Sequence, residues 1–244
     1  MIQKMEEYSL NAWPALQTIV HDGWLLRFSD GYTNRANSIH PIYDSHGDIE
    51  RKIAYCEDIY SHKRLKTIYK MTSSVYPANL DEVLVKKGYE AMDDTSVQIL
   101  NLTEMKQPLI HTVKRDEKLT NSWFNHFCRL TKVDPNHRFT IKQMLSSIIF
   151  EKCFFSLYLE DRAVACGLGT IKGGYLGIFD MITDSHHRNR GLGEQLMLHL
   201  LNWGIENEAK QAYLQVMLTN GPARRLYSKL GFQEAYKYWY RVKQ

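Results

Sequence analysis

The feature that most restricts the fold of this chain is a short pattern that occurs twice, once near the end of each half. Residues 83–90 (VLVKKGYE) resemble residues 226–233 (LYSKLGFQ): the end of a predicted helix, a glycine, an aromatic residue and the start of a predicted strand. Glycine in this place is typical of a helix that ends in the left-handed conformation. In both halves a helix is predicted to begin about forty residues earlier, near Gly47 and Gly191. The repeat predicts an internal duplication of one α+β unit, although helix–glycine–strand segments also occur in unrelated α+β chains.

Length and composition are compatible with two such units. The chain has 244 residues, of which 44% are hydrophobic and 24% charged, as in ordinary globular proteins. That length allows two small domains. A polar segment at residues 105–113, interrupted by Pro108, predicts the junction. We therefore predict one domain over residues 1–104 and another over residues 112–244.

Hydrophobic periodicity and turn residues predict mixed α and β structure in both halves. In the first half we predict helices over 48–62 and 78–87, and strands over 24–28, 35–42, 65–71 and 95–102. In the second half we predict helices over 115–130, 140–149, 193–209 and 222–230, strands over 154–159, 163–171, 175–182 and 213–218, and a last strand around Tyr238. The helix over 193–209 has one apolar stripe. Its opposite face, which we expect to be exposed, carries Gln195, His199, Asn202 and Glu206.

Charge and cysteine patterns disfavour several classes of function. The formal net charge is 31 − 27 = +4, and the chain has no basic block of the kind that binds nucleic acid. Cys56, Cys128, Cys153 and Cys166 are scattered, with no C-x-x-C pair, so we expect neither a metal site nor a disulfide framework. We find no signal-peptide pattern and no run of the ~18 apolar residues that a membrane span needs. The sequence thus predicts a cytoplasmic protein without nucleic-acid or membrane partners.

The first motif with a chemical meaning is the loop at residues 188–193 (RNRGLG), between a predicted strand and a predicted helix. Glycines at such a turn allow backbone N–H groups to point inward, and the positive end of the helix dipole adds to their attraction for an anion. A pyrophosphate suits this site, and Arg188 and Arg190 add positive charge. A helix start with a capping glycine gives the same pattern without any ligand.

The second motif is residues 220–232 (NGPARRLYSKLGF). Asn220 ends a predicted strand, where its amide either caps the next helix or meets a ligand. Tyr227 carries a hydroxyl that can donate a proton. The alternative for Tyr227 is a packed aromatic residue whose hydroxyl merely finds a hydrogen-bonding partner.

Together the two motifs resemble the GNAT superfamily of acetyl-CoA-dependent N-acetyltransferases over roughly the C-terminal 130 residues. Arg188-x-x-Gly191-x-Gly193 is similar to the family's pyrophosphate loop. The resemblance implies the GNAT fold, a mixed, mostly antiparallel sheet flanked by helices. Less closely, the first half resembles the degenerate N-terminal domain of tandem family members. Its loop at residues 44–48 (DSHGD) has one glycine and no arginine, and Leu84 stands where Tyr227 stands, so we expect one acetyl-CoA site.

The resemblance also implies a mechanism of direct acetyl transfer from acetyl-CoA, used as co-substrate, to an amine, without a metal or an enzyme nucleophile. Tyr227 is the predicted general acid. The predicted cofactor contacts are Met181, Ile182, Thr183, Arg188, Asn189, Arg190, Gly191, Leu192, Gly193, Asn220 and Tyr227. The general base stays open among Asp180, Asp184, His186 and His187.

We expect the acceptor to be a primary amine of a small molecule. The alternatives are a protein lysine or N-terminus as acceptor, and an acyl-CoA-binding module without turnover. The polar segment at residues 32–38 (YTNRANS) is expected to face the acceptor.

Overall fold

The structure, a computed structural model, describes residues 1–243. Its helices are α1 (Ile2–Ala12), α2 (Ile49–His62), α3 (Leu80–Lys86), α4 (Asn121–Thr131), α5 (Arg138–Ser146), α6 (Leu192–Glu206) and α7 (Gly221–Lys229). Its strands are β1 (Gln17–His21), β2 (Trp24–Phe28), β3 (Ile39–Pro41), β4 (Ile68–Thr72), β5 (Glu90–Asn101), β6 (Val113–Asp116), β7 (Glu151–Leu159), β8 (Arg162–Lys172), β9 (Tyr175–Thr183), β10 (Gln211–Met217) and β11 (Gln233–Val242).

The chain forms two compact units. The N-terminal unit comprises Met1–Ser96, Met217–Thr219 and the residues from Tyr236 onward, and the C-terminal unit comprises Val97–Val216 and Asn220–Ala235. Strands β5 and β11 therefore contribute residues to both units.

The N-terminal unit has the strand order β1-β2-β3-β4-β11, in which only the β3–β4 pair is parallel among the residues described. Helix α2 begins where the sequence predicts, because the Asp48 carboxylate accepts a hydrogen bond from the backbone N–H of Arg51 at 2.8 Å. Its apolar face packs into the core of this unit, which includes Trp24, Leu26, Ile53, Cys56, Tyr60 and Tyr69.

The C-terminal unit has the strand order β5-β10-β9-β8-β7-β6. The pairs β6–β7, β7–β8 and β8–β9 are antiparallel, whereas β9 and β10 run parallel. Helix α6 packs its apolar side chains against this sheet, and the core includes Phe155, Leu157, Ile178, Leu196, Leu200 and Leu214. The predicted fold class is confirmed: it is an α+β fold with a mixed, mostly antiparallel sheet flanked by helices.

The repeated pattern of the sequence is present as strand, helix, glycine and strand in each half: β4–α3–β5 and β10–α7–β11. The glycines that follow the two helices, Gly88 and Gly231, have φ angles of +82° and +94°, as predicted for left-handed helix ends.

Three local predictions are wrong. Residue Arg115, predicted at the start of a helix, lies in strand β6, which pairs with β7; the helix begins at Asn121 instead. Helix α1 and strand β1 were not predicted. The segment 35–42 forms only the short strand β3, because residues Asn34–Ala36 turn as a 3₁₀ helix.

Of the four polar side chains of α6 that the sequence predicts to be exposed, Glu206 is exposed, whereas Gln195, His199 and Asn202 are buried or half-buried. The Gln195 side-chain oxygen accepts hydrogen bonds from the backbone N–H groups of Leu109 (2.6 Å) and Ile110 (3.1 Å). His199, only 6% exposed, has its Nε2 atom 2.7 Å from the carbonyl oxygen of Ile110. The side chain of Asn202 donates to the carbonyl oxygen of Lys106. This face therefore holds the segment that precedes β6.

Candidate functional site

The candidate site begins where β9 and β10 separate. Their parallel pairing, within the part of the chain that the structure describes, ends at Ile178 opposite Leu214. Strand β9 nevertheless continues to Thr183 and β10 to Met217. Beyond the last pair, the edge of β9 that β10 would otherwise cover is open at residues 181–183. Backbone hydrogen-bonding groups on such an edge are available to an extended ligand.

A β-bulge shapes this end of β9. The register between β8 and β9 passes from Leu168 opposite Phe179 to Cys166 opposite Ile182, so that two residues of β9 stand opposite Gly167. Asp180, the first of these two, has a φ of +52°. A Cβ atom on residue 167 would lie only 2.7 Å from the Met181 sulfur. The missing side chain at position 167 thus makes room for Met181. Bulges of this kind re-aim side chains beside active sites.

Asp184 fixes the turn that follows β9. Its carboxylate accepts a hydrogen bond from the backbone N–H of His186 at 3.0 Å and lies 3.3 Å from the Arg162 guanidinium. The hydrogen bond from His186, above all, holds the pKa of the Asp184 carboxyl below its usual value. Asp184 is buried. It is therefore a weak proton acceptor that orients the loop, and we withdraw it as a candidate general base.

The glycine loop leads directly into α6. Gly191 is the N-cap of the helix and has a φ of +75°, a conformation that favours glycine. A Cβ atom on residue 191 would meet no atom within 4 Å, so the loop faces open space. The first intrahelical bond runs from the Gln195 N–H to the Gly191 carbonyl at 3.0 Å. The N–H groups of the residues just before Gln195 therefore have no acceptor within the helix. They point outward at the positive end of the helix dipole.

Helix α7 forms the opposite side of the site. The Asn220 side chain accepts a hydrogen bond from the Ala223 N–H at 3.3 Å, so of the two roles considered for it the helix cap is realised. Lys229 pairs with Glu194 of the first turn of α6 at 2.6 Å. This ion pair joins the two helices.

Tyr227 is 8% exposed and packs its ring 6.0 Å from that of Phe232. Burial raises the pKa of the Tyr227 hydroxyl to about 12. It is therefore protonated at neutral pH. Among residues 1–243 no group forms a hydrogen bond with this hydroxyl. The proton is available to a group that enters the site from outside the chain.

A cleft of about 660 Å³ joins these elements within the C-terminal unit. Its lining contains all but one of the predicted contact residues, namely Met181, Ile182, Thr183, Arg188, Asn189, Gly191, Leu192, Gly193, Asn220 and Tyr227. Arg190 lies in the same loop, but its side chain is exposed and outside the lining.

Further lining residues were not predicted as contacts: His187, Glu194, Pro222, Ala223 and Leu226. The sequence contained a signal for two of them. Leu226 and Tyr227 follow Ala223 by three and four positions. This spacing places all three on one side of a helix.

Among the remaining candidate bases, only His187 lines the cleft; His186 and Asp180 do not. The Nδ1 atom of His187 lies 3.6 Å from a carboxylate oxygen of Asp184. His187 is thus the candidate general base that lines the cleft.

The polar segment at residues 32–38 belongs to the N-terminal unit, and Asn37 serves to close its own loop. The Asn37 side-chain oxygen accepts hydrogen bonds from the N–H groups of Ser29 (2.7 Å) and Gly31 (2.9 Å), and its amide donates to the Thr33 carbonyl (2.9 Å). The side chain is 4% exposed. We therefore withdraw Asn37 as a candidate acceptor contact.

Within residues 1–243, no helix is long and apolar enough to cross a membrane. In the same range, no group of three or more His, Cys, Asp and Glu side chains is arranged to hold a metal ion.

Comparison with known proteins gives a consistent result. Residues 1–241 match the family model described as "Probable histone acetyltransferase Rv0428c C-terminal". A Bacillus subtilis (strain 168) protein, "Uncharacterized N-acetyltransferase YobR", is 28% identical over 248 residues, covering 100% of this chain and 99% of its own length.

Solved structures share the fold at low identity. A GCN5-related N-acetyltransferase from Kribbella flavida has a TM-score of 0.70 at 14% identity, covering 99% of this chain and 95% of its own. One from Sphaerobacter thermophilus has a TM-score of 0.68 at 13% identity, with coverages of 99% and 88%. A tandem GNAT protein from the clavulanic acid biosynthesis pathway has a TM-score of 0.65 at 11% identity, with coverages of 80% and 69%.

Proposed function

Because this chain belongs to the family of the probable histone acetyltransferase Rv0428c C-terminal region and is an N-acetyltransferase of the GNAT type, we propose that it transfers an acetyl group from acetyl-CoA to a primary amine of a small molecule. One observation carries the proposal. The open edge of β9, the glycine loop before α6 and the Tyr227 hydroxyl meet in one cleft of about 660 Å³.

Each wall of the cleft suits a different part of the proposed donor. The outward N–H groups at the start of α6, together with Arg188, suit the pyrophosphate. The open backbone edge at residues 181–183 suits the amide groups of the pantetheine arm. On this proposal, an N–H group of the same edge donates to the thioester carbonyl, where negative charge develops during acyl transfer.

Acetyl-CoA supplies an activated acetyl group: the amine nitrogen bonds to the thioester carbonyl carbon, the carbon–sulfur bond breaks, and the sulfur leaves as a thiolate. The chain must then supply a proton to the sulfur and accept one from the amine. Tyr227 donates the first from its hydroxyl, which burial keeps protonated. His187 is our candidate to accept the second, directly or through water.

The cysteines take no part in this scheme. All four are buried, and burial raises the pKa of Cys56, Cys153 and Cys166 to about 12, so their thiols are poor nucleophiles. None of them lines the cleft. Buried, unpaired cysteines also support a reducing, cytoplasmic location.

A second acceptor class has specific support. The matching family is described as a probable histone acetyltransferase, which favours a protein lysine as acceptor. An N-terminal amine belongs to the same class of peptide acceptor. The two proposals share the donor site and differ only in the amine.

A thiol-release assay separates them. Purified protein and acetyl-CoA are incubated with a panel of small primary amines and with lysine-containing basic peptides, and free CoA thiol is measured. Faster release with small amines supports the first proposal, and faster release with peptides supports the second. Heat-denatured protein serves as the control for enzyme-dependent release. If calorimetry detects no acetyl-CoA binding at millimolar concentration, the proposed donor is wrong.

A further inference from the structure

The N-terminal unit contains a counterpart of the glycine loop, and its hydrogen-bond donors already hold an anion. In the repeated pattern, residues 44–48 lead into α2 as residues 188–191 lead into α6. The anion is the carboxylate of Asp22, which lies in the turn between β1 and β2.

Four donors converge on this carboxylate. The backbone N–H of Gly47 lies 2.9 Å from Oδ2, and that of His46 lies 3.2 Å from both oxygens. The Ser45 hydroxyl donates to Oδ2 at 3.1 Å. The Lys52 ammonium lies 2.8 Å from Oδ2. The hydrogen bond from Lys52, above all, holds the pKa of the Asp22 carboxyl well below its usual range.

Lys52 is charged and buried, with a side chain 5% exposed. It donates both to the Asp22 carboxylate and, at 2.6 Å, to the Asp22 carbonyl oxygen. Its ammonium also lies 4.1 Å from the centre of the Trp24 ring. A buried ammonium needs such partners, because burial of an unpaired charge is costly. Without the carboxylate, this ammonium would keep as acceptors the neutral oxygens of the Asp22 carbonyl and the Ser45 hydroxyl, which would leave its charge open to an anion.

The conformation of the β1–β2 hairpin turn positions Asp22 beside the loop at residues 44–48. Asp22 and Gly23 have φ angles of +40° and +81°, which suit the Asp-Gly turn of a two-residue hairpin. The carbonyl of Gly23 accepts a hydrogen bond from the Tyr43 N–H at 3.2 Å. A Cβ atom on residue 23 would lie 2.1 Å from the Asp44 carbonyl oxygen. Only glycine permits the turn to press so closely against the loop.

The loop leaves space for the carboxylate and for solvent beside it. A Cβ atom on Gly47 would lie 3.1 Å from the Asp22 Oδ2 atom, so a side chain there would crowd the carboxylate. An open depression of about 570 Å³ adjoins the pair and is lined by Arg51, Tyr55 and His21 among others. A ligand of phosphate size therefore has a route to these donors once the carboxylate is removed.

We propose that residues Ser45, His46, Gly47 and Lys52 form a second oxyanion-binding site, that its ligand in the intact protein is the carboxylate of Asp22, and that Asp22 thereby excludes phosphate-bearing ligands from the N-terminal unit. The unit lacks a cofactor site because the site is occupied from within the chain. This goes beyond the proposed donor cleft, which lies in the C-terminal unit.

The test is a titration of the whole protein with inorganic pyrophosphate, followed by NMR at the backbone amides of His46 and Gly47. In Asp22→Ala these amides should shift saturably, with a midpoint at or below about 10 mM. In the wild type they should not shift. Asp44→Ala is the matched control: it removes one exposed acidic side chain from the same loop, and it should behave like the wild type. The amides of Gly191 and Gly193 report the donor cleft separately in every variant.

Two results would overturn the proposal. One is a folded Asp22→Ala whose His46 and Gly47 amides do not respond to pyrophosphate. The other is a wild type in which they respond as strongly as in the variant. If Asp22→Ala does not fold, Asp22→Asn replaces it, because it keeps the size of the side chain and removes the charge. It should show the same shifts at a higher pyrophosphate concentration, and no shift in that variant would also overturn the proposal.

Discussion

The substitution Tyr227→Phe tests the chemistry of the cleft most directly, because it removes one hydroxyl and keeps the ring. The hydroxyl makes no hydrogen bond with residues 1–243, so its removal leaves no protein donor or acceptor unsatisfied. The contact with Phe232 is retained. We expect the free energy of unfolding to change by less than about 1 kcal/mol.

The effect on catalysis should be much larger. Proton transfer by a positioned general acid is typically worth about 10²–10⁴ in rate. That range corresponds to about 2.7–5.5 kcal/mol in activation free energy. Because the proton is needed only as the carbon–sulfur bond breaks, kcat should fall by this factor while the Kd for acetyl-CoA changes less than about twofold.

The pH dependence follows from the buried environment of the hydroxyl. A group that must be protonated supports activity below its pKa and ceases to do so as the pH rises through it. Since burial raises the pKa of Tyr227 to about 12, it should produce no decline in kcat between pH 7 and 10. A decline in that range would report another group.

The assay is thiol release with the best acceptor from the panel, measured for the wild type and for Tyr227→Phe. Tyr213→Phe is the control, since Tyr213 is also a buried tyrosine of the C-terminal unit and lies outside the cleft lining. It should keep kcat within about threefold of the wild type. If Tyr227→Phe also stays within threefold, Tyr227 is a packing residue and the proposed general acid is wrong.

Three further predictions concern the glycine loop, a buried ion pair and the cysteines. Acetyl-CoA at 100 times its Kd should stabilise the wild type by about 2.7 kcal/mol, seen as a Tm increase of roughly 5–11 °C. Gly191→Glu places a side chain in open space but strains the left-handed backbone at that position, so the free variant should have a lower Tm than the wild type by an amount equivalent to about 1–2 kcal/mol. It should also lose the increase on adding acetyl-CoA, and an unchanged increase would refute the loop's role. Lys70→Met should lower the free energy of unfolding in urea by about 3–5 kcal/mol, because it removes the ammonium that lies 2.5 Å from the buried Glu6 carboxylate. Lys87→Met, which breaks a partly exposed pair with Glu50, should cost less than about 1 kcal/mol. Native protein at pH 8 should react slowly with a thiol reagent, and rapidly at all four cysteines only after unfolding; fast reaction of the native protein would contradict the burial.

The elements of the C-terminal unit could be predicted from sequence because their signals are local. Strands β7, β8 and β9 are separated by turn residues, and α6 has a continuous apolar stripe. Gly191 marks the loop because only a residue without a side chain tolerates its φ angle easily. The mixed sheet then followed from the family resemblance, since spacing alone does not state how strands pair.

Helix α1 shows why other elements were missed. Its buried positions include Glu6 and Ser9 beside Met5 and Ala12, so an apolar repeat does not appear in the sequence. Glu6 is buried because Lys70 and the Tyr236 hydroxyl (2.7 Å) bind its carboxylate. Both partners are distant in sequence. From sequence alone, a charged residue is predicted to be exposed unless its partners are known.

The polar face of α6 failed as a prediction for a related reason. Gln195 and His199 read as solvent-facing because both side chains are polar. In the structure they bind backbone groups of Leu109 and Ile110. A segment without regular structure must find hydrogen-bonding partners for its backbone, and polar side chains of a neighbouring helix supply them. Local periodicity contains no information on which segment will do so.

The two glycine loops, finally, differ in how their hydrogen-bond donors are satisfied. At Gly47 the donors of the loop before α2 are satisfied by Asp22 and stabilise the folded chain at all times. At Gly191 the space before α6 is open, so donors there gain partners only when a ligand enters. A loop that is satisfied from within contributes stability and cannot bind, whereas a loop left open gives up that stability and retains binding. On our proposals, the loop of the N-terminal unit thus contributes stability, and the loop of the C-terminal unit retains binding.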